Sequence, residues 1–155
     1  MFSYISTVCP RLGRPCSERV VEVALQFAEA RRDAFDPADS VLAHGDAHAW
    51  NTLLDPTTNR YKFVDPDGLF IERAHDLSIS MREWSAELLA GIPVALALKR
   101  CALLSRLTGV PENPIWHWAF IERLVNGLRY IEVGPEENAA KFLAVVEAWA
   151  EVETA

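Results

Sequence analysis

The 155-residue sequence predicts a mainly α-helical fold that carries one small β-hairpin. Three observations lead there. Beyond Ala74, apolar residues recur every three or four positions, the period of a helix with one buried face. Two short runs, Thr52-Leu53-Leu54 and Tyr61-Lys62-Phe63-Val64, flank Asp55-Pro56-Thr57-Thr58-Asn59, whose side chains favour a turn. Prolines and glycines fall mostly between the periodic segments, where they punctuate the chain.

The elements follow in order. Residues 1–16 are expected to be irregular, with Pro10, Gly13 and Pro15 as breakers. Ser17 is an N-cap residue with Glu18 in the first turn, and Val20, Ala24, Phe27 and Ala28 continue a helix to about Phe35. Asp36-Pro37 ends it, because the residue before proline is pushed out of the α region. Val41-Leu42-Ala43 reads as a short buried strand, and the hairpin runs from Thr52 to Val64. After Gly68 the chain is expected to turn helical: about Ala74 to Ala90, a break at Gly91-Ile92-Pro93, then about Val94 to Leu107. Pro111 and Pro114 punctuate the next connection. Trp116, Phe120, Leu124, Leu128 and Ile131 share one face of a further helix, closed by Gly134-Pro135. Phe142, Val145, Val146, Trp149 and Val152 mark the last. These aromatic stripes read as core packing, and His117, between Trp116 and Trp118, as structural. One domain over residues 1–155 is expected.

Composition narrows the partners. Half of the residues are apolar and about a quarter charged, as in an ordinary globular protein. A net charge of −7 disfavours nucleic acid and suits a small cationic substrate. The three cysteines, Cys9, Cys16 and Cys101, include no Cys-x-x-Cys; the odd count points to a reduced, cytoplasmic setting and away from zinc. The N-terminus lacks the pattern of a signal peptide. No run approaches the roughly 20 apolar residues of a membrane span.

The chemistry concentrates in VLAHGDAHAWNTLLDP, residues 41–56, with His44, Asp46, His48 and Asn51 inside eight positions. One reading is a metal-dependent hydrolase, since His44, Asp46 and His48 alternate and would share a face of an extended strand. It needs further ligands, and only His75 and His117 remain as histidines. A second reading is a turn without chemistry. A third is phosphoryl transfer, whose protein-kinase form uses His-Arg-Asp-x-x-x-x-Asn followed by an Asp-containing turn. Asp46 and Asn51 keep that separation, and Asp65-Pro66-Asp67-Gly68 follows the hairpin, which brings Asn51 and Asp65 to one edge. The chemistry needs a carboxylate to accept or orient the hydroxyl proton and oxygen donors for Mg²⁺, a hard ion.

HGDAHAWN, then FVDPDG, then ERAHDL, resembles the C-terminal lobe of the aminoglycoside phosphotransferase family, most nearly its streptomycin/hydroxyurea-type kinases. The resemblance covers Val41–Leu77 in three linked motifs; the helices beyond fit in general character. It implies a protein-kinase-like C-terminal lobe and ATP-dependent phosphorylation of a hydroxyl on an aminoglycoside or similar small molecule, which inactivates an antibiotic. By the same resemblance Asp46 is the catalytic base and Asn51 and Asp65 hold magnesium. Asp76 braces the catalytic loop through backbone N–H groups near His44 and Gly45, and His44 packs within the loop. His48 and Asp67 stand at the active-site wall, and either Asp65 or Asp67 faces the metal. Glu83, Glu87 and Glu122 are candidates for binding a cationic sugar.

A nucleotide lobe needs a glycine-rich phosphate loop and a strand lysine. No Gly-x-Gly-x-x-Gly occurs, and the lysines are Lys62, in the hairpin, and Lys99 and Lys141, on later helices. The chain is therefore expected to cover only the catalytic and substrate lobe, with ATP bound through a nucleotide-binding lobe not present here, for which a separate partner chain is one source. An exposed apolar patch is expected near the first helix and the hairpin, where that lobe would dock. The alternative is a non-catalytic remnant or binding module that keeps the fold and sequesters a ligand.

Overall fold

The computed structural model describes residues 1–152; the single-domain expectation also takes in residues 153–155, which lie outside the described residues. Helix α2 (Glu18–Asp33) begins at Ser17, whose Oγ accepts from the Val20 N–H at 3.3 Å, and buries Val20, Val23, Ala24 and Phe27 at helical spacing. The cap is itself held: the Ser17 N–H and hydroxyl both donate to the Glu147 carboxylate, at 2.6 and 2.7 Å.

The segment before it is not irregular. Helix α1 spans Phe2–Arg11 and lays Ile5, Val8 and Cys9 against the core. Their spacing outweighs the proline, because Pro10 lies in the last turn and leaves only the carbonyl of exposed Ser6 without its helical donor. The reversal that follows uses positive φ at Gly13 (76°) and Arg14 (59°), and Arg14 then pairs with Glu18 at 2.8 Å.

Two sheets form where one hairpin was expected. Strand β2 (Thr52–Asp55) pairs antiparallel with β3 (Arg60–Phe63), Thr52 opposite Phe63. The Asp55 side chain fixes the turn by accepting from Thr57 N–H and from Lys62 Nζ. The strand β1 (Val41–Ala43) pairs instead with β4 (Leu69–Ile71), Val41 opposite Ile71, so the chain after Gly68 is extended before it becomes helical. Three residues without alternation carry no strand signal of their own; the pairing with β1 makes them a strand.

The segment expected as a single helix from Ala74 to Ala90 is two, α3 (Arg73–Arg82) and α4 (Ser85–Ala90), separated at Glu83 and Trp84, the latter with φ of 67°. The cause lies far along the chain. Arg123, fully buried on α6 (Glu112–Val133), donates to the carbonyls of Met81 and Glu83 at 3.0 Å and to Ser85 Oγ at 2.9 Å. It satisfies carbonyls that an uninterrupted helix would have used internally. Its guanidinium lies 5.0 Å from the Trp149 ring and 5.1 Å from the Phe142 ring.

Helix α5 (Pro93–Thr108) starts with proline at its first position and stops at Gly109, φ 75°. Together with α7 (Glu136–Ala150), α6 forms the centre of the molecule: Ile115, Phe120, Leu124 and Leu128 of α6 pack with Val145, Val146 and Trp149 of α7. Burial of such side chains contributes about 1.5–3 kcal/mol each. Gly127 permits the approach, since a Cβ there would lie 2.9 Å from Leu143 Cδ2. His117 stacks on Phe27 at 4.1 Å, a packing role. No helix among the described residues is long and apolar enough to cross a membrane.

Candidate active site

The loop after β1 is fastened on three sides. The His44 and Gly45 N–H groups donate to Oδ2 and Oδ1 of Asp76, each at 2.7 Å; Asp76 lies in the first turn of α3. The His44 carbonyl accepts from the Asp67 and Gly68 N–H groups, at 2.9 and 3.2 Å. The His44 ring closes the third side. Its Nδ1 receives the Asp46 N–H at 3.3 Å, so Nε2 carries the proton and donates to the Val64 carbonyl at 3.0 Å. Gly45 is required: its φ is 84°, and a Cβ would lie 3.0 Å from Asp67 Cβ and 3.1 Å from Leu69 Cγ.

This frame presents the Asp46 carboxylate. Oδ2 accepts from Asn51 Nδ2 and faces His48 Nε2, both at 3.1 Å. Oδ1 accepts from Arg82 Nη2 at 2.7 Å. His48 Nδ1 receives the Trp50 N–H at 3.1 Å, which fixes the ring with its Nε2 proton toward Asp46. Burial pushes the Asp46 carboxyl up, but the hydrogen bond and charge of Arg82, helped by His48 and Asn51, outweigh it and hold the group below the usual carboxylate range.

Asp46 opens onto a cleft of about 740 Å³ whose polar lining includes Asp67, His75, Arg82, Glu122 and Asn126. Arg82, at the C-terminal end of α3, spans this floor: Nε is 3.5 Å from Glu83 Oε1 and Nη1 is 3.7 Å from Glu122 Oε2. Glu122 is only 5% exposed and also accepts from Asn126 Nδ2 at 3.2 Å. His75, 2% exposed, has Nε2 at 3.3 Å from Glu122 Oε1 but without hydrogen-bond alignment.

Asn51 ends a single 3₁₀ turn, Ala49–Asn51, with its amide nitrogen directed to Asp46 and its oxygen therefore turned away. The Asn51 carbonyl accepts from the Val64 N–H at 2.9 Å, which places Asp65 beside Asn51 across the hairpin. Asp65 is exposed and adopts φ of 58°, a conformation uncommon for a residue with a side chain. Asp67, not Asp65, lines the cleft beside Asp46. An amide oxygen and a neighbouring carboxylate suit magnesium, which takes one or two protein oxygens and completes its shell with water and phosphate.

The alternating histidines do not form a metal cluster. His44 faces Val64 and His48 faces Asp46, and among the described residues no group of three or more His, Cys, Asp or Glu side chains is arranged to hold a metal ion. The three glutamates also separate. Glu122 lies in the cleft, Glu83 flanks Arg82, and Glu87 lies on another surface beside Trp84 and Arg100. Sequence reasoning missed Arg82 and His75. Both sit on a helix already expected, and nothing in their local pattern separates them from helix-surface residues; only the fold brings them to Asp46 and Glu122.

A family model described as "Phosphotransferase enzyme family" matches residues 7–109. No curated protein and no solved structure matches the chain. The match runs from α1 to the end of α5 and takes in the whole of the loop, hairpin and brace around Asp46. The chain belongs to the phosphotransferase enzyme family.

Proposed function

We propose that this chain is the catalytic and acceptor-binding lobe of a small-molecule kinase of protein-kinase-like architecture. It transfers the terminal phosphoryl group of ATP to a hydroxyl of a cationic acceptor, an aminoglycoside of the streptomycin type or a related molecule. Inactivation of an antibiotic would be the consequence. The observation that carries this reading is the Asp46 carboxylate, held ionised at the mouth of a cleft with the Asn51 amide hydrogen-bonded to it.

In the reaction the acceptor O–H bond breaks and its proton passes to Asp46. The acceptor oxygen bonds to the γ-phosphorus, and ADP leaves with the β–γ bridging oxygen. Asn51 Oδ1 and Asp65 would hold magnesium, which neutralises the phosphate oxygens when bound. Asp76 and His44 keep the loop from moving as charge shifts, an instance of preorganisation. Asp67 and Glu122 are the cleft carboxylates beside Asp46 that would meet a cationic acceptor, on a lining that also holds Arg82 and Arg129.

The nucleotide lobe is proposed to come from polypeptide outside these 155 residues. A broad apolar surface supports this. Trp50 (86% exposed), Leu42 (77%), Leu53, Tyr61, Phe63 and Phe70 all lie on the two sheets or the loop between them, next to the catalytic loop, with Phe35 also exposed just after α2. Clustered exposed apolar side chains of this kind mark interaction surfaces.

Isothermal titration of the chain with streptomycin, with and without Mg-ATP, tests the reading. Acceptor binding that persists in Asp46→Asn, with turnover little or none until a nucleotide lobe is supplied, is the expected result. Absence of heat with every aminoglycoside tried, in a folded sample, would remove the acceptor assignment. Turnover by the chain alone would remove the two-lobe argument.

A further inference from the structure

Cys9 and Cys16 stand seven positions apart, Cys9 in the last turn of α1 and Cys16 just before the Ser17 cap of α2. Both are free thiols, and their sulfur atoms lie 3.9 Å apart. The backbone makes this meeting. The Gly13 N–H donates to the Pro10 carbonyl at 3.1 Å, and the Arg14 N–H donates to the Cys9 carbonyl at 3.0 Å, which closes the turn between them. On the other side Ser17, the neighbour of Cys16, is fastened to Glu147 of α7. With both main chains held, a bond of about 2.05 Å needs the sulfurs to close by roughly 1.9 Å through side-chain rotation. A cavity of about 330 Å³, with Ile5, Pro10, Val21 and Leu25 in its walls, reaches both cysteines. Cys9 is only 2% exposed and Cys16 is half-buried, so a small reagent meets Cys16 first. We infer that Cys9 and Cys16 are a thiol pair poised to form a reversible disulfide that clips α1 to the start of α2, with a low-molecular-weight disulfide of the glutathione type as the oxidant.

The chemistry runs in two exchanges. Cys16 Sγ gives up its proton and attacks one sulfur of the oxidant, whose other sulfur leaves as a thiolate and takes a proton. Cys9 Sγ, deprotonated in turn, attacks Cys16 Sγ and expels the second small thiol. Two protein thiols and one small disulfide become one protein disulfide and two small thiols. Burial, and then the neighbouring Cys9 and Glu147, push the Cys16 thiol up to about 12. Scarcity of thiolate makes the first exchange slow. A reduced pair that gains nothing from ionising near neutral pH also leaves the disulfide hard to reduce. The device is a slow latch and not a fast sensor. It adds to the anchors that α1 already has, Ile5 and Val8 in the core, and Tyr4 and Arg11, which both reach Glu132 of α6. Met1, just before α1, lines the cleft that holds Asp46, so the latch bears on that wall as well.

The test incubates the 155-residue chain with a mixture of reduced and oxidised glutathione, both as native protein and on refolding from urea, so that slow access to Cys16 does not limit the result. Remaining thiols are capped with N-ethylmaleimide in urea and counted by intact mass. Of the three cysteines, only Cys101 is expected to take the cap, with a Cys9–Cys16 link in the peptide map, and dithiothreitol is expected to restore all three. Cys101→Ser should leave the link unchanged, and Cys16→Ala should abolish it. Amide exchange in α1 is expected to slow by about tenfold in the oxidised chain. Three free thiols in the refolded, oxidised sample, or a link made through Cys101 instead, would overturn the pairing. A Cys9–Cys16 link that leaves exchange in α1 unchanged would overturn the latch. None of these readouts needs turnover, so they stand apart from the calorimetry that tests the phosphotransfer reading.

Discussion

Asp76 shows how much one side chain can fix. Its two oxygens meet two successive backbone N–H groups at 2.7 Å, and hydrogen bonds to an ionised acceptor are roughly twice as strong as neutral ones. The backbone of the loop is thereby tied to the start of α3. His117 makes a contrasting point. Burial, and then the nearby charge of Arg31, push its imidazole down to about 4. The sign follows directly. Between an unfolded value near 6.5 and a folded value near 4, the unfolded chain binds more protons, so stability is lost as pH falls through that window. His117→Phe, which keeps a ring against Phe27, should flatten this part of the stability–pH curve by about 1–3 kcal/mol. Urea unfolding at several pH values measures it; identical slopes for the two proteins would contradict the assignment.

At the scale of elements, the interruption between α3 and α4 depends on a residue 40 positions away from Glu83. Arg123→Met is expected to destabilise the protein by about 2–4 kcal/mol, because the Met81 and Glu83 carbonyls lose their partner inside the core. Chemical denaturation measures the loss, and a variant as stable as wild type would show that the carbonyls find other donors. The same break marks where sequence reading stopped. Ser17, the Asp55–Asn59 turn and the spacing of Asp46, Asn51 and Asp65 are local signals, and each was legible. Helix α1 was hidden by Pro10 in its last turn and by Gly13 and Pro15 just beyond it, although Ile5, Val8 and Cys9 carried the period. Strand β4 exists only because β1 lies beside it, and the α3–α4 break only because Arg123 reaches it. Arg82 was illegible for the same reason: its meaning comes from Asp46 and Glu122, which meet it in space from distant parts of the chain.

For the whole molecule, the uneven distribution of apolar surface is the main physical fact. The core is continuous through α1, α2, α6 and α7, while the two sheets leave Trp50, Tyr61 and Phe70 largely in solvent. Replacing Trp50 and Phe70 by serine should lower binding of a hydrophobic dye and raise the soluble concentration, with a change in stability under about 1 kcal/mol, because neither side chain is buried. A large drop in stability would mean that this face packs within the free chain.

Helix α3 touches the loop after β1 twice, through Asp76 near its start and Arg82 at its end. Six residues of α-helix separate these points by about 9 Å. The segment thus works as a gauge: one point sets the loop backbone, the other the Asp46 side chain. Inserting or deleting one residue between them would turn one contact by about 100° against the other. Evolution can vary the sequence of this stretch, but its length is bound to the spacing of the loop it measures.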